Sequence, residues 1–288
     1  MRRLLVLAAA VMVFPIALSG QRDSGPGLRL YVFDGGTLAS ADMSRYRLAN
    51  SEVATTNMSV GCFLVRHPRG VLMWDACAVP DAAWTPTGQP QLQHLTLPDG
   101  QAREVTLTSR LLPQLAAAGF RPGAVTHFAL SHYHWDHTAN ANAFAGAAWL
   151  VRPVERDAML AAMPPALAQP STYSALRGSR VTAITSGDYD VFGDGSVVIK
   201  LAGGHTPGHQ VLFVKLARTG PVVLSGDLYH YPEERTLNRV PPRDSSPQQT
   251  TDSRTALETF LKKEGAALWI QHDIAGNAKL KKAPGYYE

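Results

Sequence analysis

The hydrophobic positions of this chain fall into short runs with two alternating periods. Residues 28–33 alternate as a strand that ends at the turn signal Asp34-Gly35-Gly36. The text GCFLVRHPRGVLMWDAC, from Gly61 to Cys77, reads as a β-hairpin: Cys62 and Leu64 share a face, Pro68-Arg69-Gly70 turns, and Val71 to Trp74 returns. Further strands are predicted at 125–130, 148–151, 181–184, 197–201, 211–216, 222–224 and 268–270. Helical spacing recurs at Leu111, Leu112, Leu115 and Ala118, closed by Gly119 and Pro122, and again over 154–162. A third helix is predicted over 252–264, with Ala256, Leu257, Phe260 and Leu261 on one face and Gly265 as its stop. Residues 40–56 and the proline-rich stretch 79–100 follow neither period and read as surface loops. No repeat, low-complexity tract or linker interrupts this order, so residues 28–288 are expected to form one domain of mixed α and β type.

The start of the chain is different. Arg2 and Arg3 precede an apolar run from Leu4 to Leu18, and Ala17 and Ser19 put small residues at −3 and −1 of a cut before Gly20. This is the layout of a signal peptide over residues 1–19, and it predicts export to the periplasm or beyond. The run contains Pro15 and is shorter than the roughly 20 residues a spanning helix needs, so no stable membrane insertion is expected once it is removed.

Composition narrows the partners. Hydrophobic residues make up 45% and charged residues 17% of the 288, enough apolar material for a full core and too little charge for a disordered chain. The net charge is +4, and Arg2 and Arg3 supply two of those positives. No basic stripe with interleaved aromatics remains, which excludes nucleic acid and leaves a small-molecule substrate. The hairpin brings Cys62 near Cys77, where the pair can bridge or stay as two small buried thiols.

The chemistry concentrates in His132-Tyr133-His134-Trp135-Asp136-His137. On an extended strand end, residues two apart point the same way, so His132 and His134 can grip one metal. Where the strand yields to a turn, Asp136 and His137 can face a second. This run resembles the H-x-H-x-D-H signature of the metallo-β-lactamase superfamily. GGHTPGHQ, LSGDLYH and IQHD are similar to that family's later motifs and give His205, Asp227 and His272, and Trp74-Asp75 resembles its structural aspartate position.

The resemblance runs from about residue 28 to 273 and implies the αβ/βα sandwich of that superfamily. It implies one metal on His132, His134 and His205, a second on Asp136, His137 and His272, and Asp227 shared between them. The ligands are all nitrogen and oxygen, which suits two zinc ions and leaves iron, manganese and cobalt open. Two close cations lower the pKa of a shared water, and Asp136 can orient the resulting hydroxide and move its proton. His209 reads as a residue behind the site, and His67, His94 and His127 as ordinary side chains.

The text from Ser225 onward is most similar to the N-acyl homoserine lactonase-like group, implying hydrolysis of a lactone ring. That group carries a tyrosine three residues after the bridging aspartate, where this chain has His230 between Tyr229 and Tyr231. His230 or Tyr229 is therefore the expected donor to the substrate carbonyl. A periplasmic β-lactamase and a non-catalytic metal-binding protein on the same scaffold are the alternatives.

Overall fold

The computed structural model describes residues 27–40 and 42–288; the signal-peptide expectation lies outside them. Fourteen strands among these residues form two sheets. They are β1 (Arg29–Leu38), β2 (Met58–His67), β3 (Gly70–Trp74), β4 (Gln91–Thr96), β5 (Ala102–Leu107), β6 (His127–Ala129), β7 (Ala148–Val151), β8 (Val181–Ala183), β9 (Tyr189–Asp190), β10 (Val197–Leu201), β11 (Gln210–Leu216), β12 (Gly220–Leu224), β13 (Ala267–Trp269) and β14 (Tyr286–Tyr287). One sheet has the order β4-β5-β1-β2-β3-β6-β7-β8, with β14 also pairing β1; the other has the order β13-β12-β11-β10-β9.

The period-two pattern sorts side chains between layers. Leu30, Val32, Phe63 and Val65 meet Val197, Ile199, Leu212 and Val214 in a core between the sheets. Their neighbours Tyr31, Phe33, Cys62 and Leu64 face the opposite way, with Leu111 and Leu115 of helix α1 (Leu111–Ala117). On the far side of the second sheet, Val211 and Phe213 pack against Leu257 and Leu261. The result is a single-domain αβ/βα sandwich, as expected.

Sequence expectations and structure differ at several edges. The stretch 79–100 contains β4, which pairs with β5 as a hairpin; it alternates between exposed and half-buried positions and so leaves no hydrophobic signal. Within 40–56 there are two 3-10 turns, Met43–Tyr46 and Asn50–Glu52. The remaining helices are α2 (Trp135–Thr138), α3 (Pro153–Met159), α4 (Pro232–Thr236), α5 (Pro247–Glu264) and α6 (Ile274–Lys279). Helix α3 ends three residues short of expectation. Helix α5 starts at Pro247 because Ser246 caps it, accepting from the Gln249 amide, and Gly265 stops it in a left-handed conformation. Among the described residues no helix is long and apolar enough to cross a membrane.

Cys62 and Cys77 are joined in a disulfide, with Cα atoms 5.5 Å apart. The bridge anchors a segment in which both Asp75 and Cys77 take positive φ, a costly conformation for residues with a side chain. Replacing both cysteines by alanine should cost about 3 kcal/mol, as the 15-residue loop is no longer closed in the unfolded chain. Chemical denaturation of oxidised, reduced and double-alanine protein checks this; equal midpoints would refute it.

Candidate dinuclear metal centre

Strands β3, β6, β7 and β8 run parallel, as do β12 and β13. Side chains beyond the carboxyl ends of parallel strands converge on a common crevice. Asp75 follows β3 directly, and His132, Asp227 and His272 each lie three residues past the ends of β6, β12 and β13. Glycines let the chain approach closely there. Gly226 has φ +49, and a Cβ on it would come within 2.7 Å of His209 and Ser131. Gly204, before His205, has φ +129 and lies against the Thr250 backbone.

Two groups of potential ligands result: His132, His134, His205 and Asp227, and Asp136, His137 and His272. Within each, the ligand atoms lie within 4.8 Å of one another. Asp227 spans both. Its Oδ1 is 3.0 Å from His137 Nε2 and from His272 Nε2, while its Oδ2 is 3.5 Å from His205 Nε2 and 3.6 Å from His132 Nε2. All seven residues named from sequence are thus brought together.

The second nitrogen of most of these imidazoles is already held. His205 Nδ1 donates to Asp244 Oδ1 at 2.9 Å, and Asp244 in turn accepts from Thr250 Oγ1. His272 Nδ1 donates to the Ser59 carbonyl at 2.7 Å. His137 Nδ1 donates to Asp75 Oδ2 at 2.9 Å, and Ser131 Oγ lies 3.0 Å from His132 Nδ1. These contacts fix ring orientation and tautomer, leaving the other nitrogen for a cation. Among the described residues, His132 Nε2, His137 Nε2 and Asp227 Oδ1 are buried without a hydrogen-bond partner. Unpaired buried polar atoms cost about 1–3 kcal/mol each. Here they sit beside one another, so bound cations would satisfy all three, and the residues fit a pair of divalent ions.

Charge supports the same reading at His132, His134 and Asp227. Burial holds His132 and His134 well below the ordinary imidazole value, so both offer lone pairs. Burial alone would raise Asp227, but His272, His137, His132 and His230 around it hold it well below the carboxylate range and keep it ionised.

Sequence reasoning passed over several supports. Glu155 of α3 is buried and takes the Tyr133 amide, the Thr206 hydroxyl and the Gly208 amide, tying the His132–His137 loop to the His205 loop. Burial lifts it to about 7, against the pull of those donors. A lone buried glutamate in a helical pattern carries no sequence signal. His209 lies behind the site as read: its Nδ1 donates to the Ala202 carbonyl, and its Nε2 accepts the Asp227 amide at 3.0 Å. Burial lowers it to about 3, so it stays neutral and able to accept.

Tyr229 needs correction. Its hydroxyl donates to Glu258 at 3.1 Å and its ring lies beneath the Arg254 guanidinium, away from the metal groups. The turn after Asp227 sends residue 229 towards α5 and residue 230 towards the site. His230 faces Asp227 Oδ2 at 3.3 Å through Nε2 and Glu234 Oε1 at 3.2 Å through Nδ1. Burial opposes its charge, but Glu234 and Asp227 lift it to about 10. With both nitrogens turned to carboxylates, His230 positions Asp227.

A phenol does reach the site, from the other side. Tyr46, from the loop 40–56, packs 4.7 Å from the His230 ring. Among the described residues its hydroxyl meets only the Met58 sulfur at 3.8 Å, a weak acceptor. Burial, then Tyr231 and the carboxylates of Asp227, Glu234 and Asp136, push it above the usual phenol range, so it keeps its proton. Tyr46, His230, Asp136, Asp227 and His272 line a cavity of about 940 Å³.

Comparison with known proteins adds four findings. The family described as the metallo-beta-lactamase superfamily matches residues 56–272. An N-acyl homoserine lactonase, AttM, of Azorhizobium caulinodans is 27% identical over 267 residues, covering 91% of this chain and 99% of that protein. An N-acyl homoserine lactonase of Bacillus thuringiensis is 27% identical over 234 residues, covering 80% and 87%. Among solved structures, an N-acyl homoserine lactone hydrolase with N-hexanoyl-L-homoserine bound at its catalytic metal center superposes with a TM-score of 0.72, covering 90% of this chain and 98% of that one. At 24% identity, that likeness bears on the fold.

Proposed function

Because the chain belongs to the metallo-β-lactamase superfamily of hydrolases, we propose that it opens lactone rings, N-acyl homoserine lactones among them, at a dinuclear centre held by His132, His134, His205, Asp136, His137, His272 and Asp227. The observation that carries this reading is the division of Asp227 between two ligand groups, one oxygen to each, on the floor of the cavity. The near full-length similarity to N-acyl homoserine lactonases favours the lactone over other esters.

Two divalent ions, zinc in our reading, supply when bound a water of lowered pKa and polarise the scissile carbonyl. The protein's part is positioning. Asp136 reaches the cavity beside His272 and is placed to take the water's proton and return it to the leaving ring oxygen as the carbon–oxygen bond breaks. Tyr46 has a donor with no strong partner and faces the same space, so we assign to it the hydrogen bond to the carbonyl oxygen. It takes the place that the sequence suggested for His230 or Tyr229.

A pH-stat assay of metal-loaded protein against an acyl-homoserine lactone, a simple lactone, a thioester and a β-lactam tests the reading; turnover of the β-lactam alone, or of none, would refute it. Tyr46→Phe should lower kcat/KM on the lactone by roughly tenfold to a hundredfold with metal content unaltered. A wild-type rate in that variant would remove Tyr46 from the mechanism. We also propose that the protein is exported, supported by the N-terminal pattern and by the disulfide, which persists in oxidising compartments. N-terminal sequencing of the mature chain checks the cut before Gly20.

A further inference from the structure

We infer that the cavity carries a subsite for an anionic group, a carboxylate on the substrate beyond the ester that is cleaved, built by Arg45, Arg103 and Arg243. The substrate class thereby narrows to lactones with an acid-bearing acyl part, an inference that rests on the lactonase reading.

Three separate segments bring these arginines to one cavity: the 3-10 turn Met43–Tyr46, strand β5, and the loop before α5. Arg103 is the most informative. It is half-buried, yet among the described residues its guanidinium donates only to neutral acceptors, the Ala102 carbonyl at 2.9 Å and Gln101 Oε1 at 2.6 Å. Burial and the nearby Arg45 work against its charge and outweigh the pull of Asp136 and Asp99, so it lies below the usual guanidinium range. Two other arginines of this protein, by contrast, hold carboxylates: Arg254 on Glu234 at 2.8 Å and Arg235 on Glu258 at 2.7 Å. Arg103 and Arg243 have no such ion pair among the described residues.

Two nearby acids line the same cavity and offset part of this charge. Asp42 is exposed, takes the Ser44 amide and hydroxyl, and stands 3.9 Å from Arg45 Nε. Glu104 alternates with Arg103 along β5 and turns to His94 at 3.4 Å on β4. Like charges gathered in a partly desolvated cavity repel, and an incoming carboxylate relieves that repulsion while accepting paired N–H groups. A methyl-terminated acyl chain would leave them uncompensated.

A matched pair of substrates tests the subsite: N-adipoyl- and N-hexanoyl-homoserine lactone, equal in length and differing in a terminal carboxylate. The adipoyl compound should show a KM about tenfold lower at low salt, and the ratio should fall towards one at about 0.5 M salt and in Arg103→Gln. Calorimetric binding of adipate and hexanoate to the metal-loaded protein reads the subsite without turnover. Adipate should bind about tenfold tighter to the wild type and with no advantage to Arg103→Gln. Adipate no tighter than hexanoate, or a variant that weakens both equally, overturns the subsite. If adipate is preferred but no lactone is opened, the subsite stands and the lactonase reading falls.

Discussion

Asp227→Asn should reduce the metal content of the purified protein from two ions per chain towards one and lower lactone turnover by roughly a thousandfold or more. The substitution is nearly isosteric and keeps one oxygen, so the backbone has no reason to move. What it removes is charge and the second acceptor. In the wild type, Oδ1 faces His137 and His272 while Oδ2 faces His132, His205 and His230. An amide presents a nitrogen to one of those groups, and its N–H points at lone pairs meant for a cation. The effect should fall on the group that receives the nitrogen, with the other still able to bind. Elemental analysis and steady-state kinetics on the folded variant check both halves. Two ions with near wild-type turnover would mean that Asp227 does not join the two sites.

How much of this could be read in the sequence depends on how local each signal is. HYHWDH is visible because four ligand-type residues fall within six positions, and His205, Asp227 and His272 because GGHTPGHQ, LSGDLYH and IQHD resemble the family's later motifs. Periodicity alone predicts one domain of mixed α and β type, and the sandwich is implied by the resemblance; in the structure successive side chains of β1, β2 and β11 enter cores on opposite faces. What escaped were contacts between distant segments. Asp244 reaches His205 from 39 residues away, and Glu155 bridges two loops. Tyr46 enters from a stretch with no period at all. Tyr229 was misread because adjacent residues in a turn can point to opposite sides, which spacing does not reveal. The missed start of α5 has a similar cause: Thr250 and Arg254 are buried polar residues on its inner face, where a hydrophobicity pattern reads solvent.

Arg254 is where that misreading matters most, and Arg254→Met should destabilise the protein by about 3–5 kcal/mol. Methionine keeps a stem to pack on Tyr229, so the loss is mainly of charge and donors. Arg254 Nε donates to the Leu228 carbonyl at 2.7 Å, Nη1 donates to the Arg239 carbonyl, and Nη2 holds Glu234 Oε2 at 2.8 Å. Glu234 is fully buried and also takes the His230 amide. Without the guanidinium it is a buried carboxylate facing only His230, and removing one partner of such a pair costs far more than the intact pair contributes. Leu228 and His230 follow Asp227 within three residues, so the same change should loosen the loop that carries the shared ligand and weaken metal binding. The double variant Glu234→Gln with Arg254→Met, which removes the stranded charge, should recover part of the lost stability. Urea denaturation of the two variants measures this coupling. If Arg254→Met lies within about 1 kcal/mol of wild type, the typical worth of an exposed pair, Glu234 has found another partner and α5 does not hold the metal-site loop through this arginine.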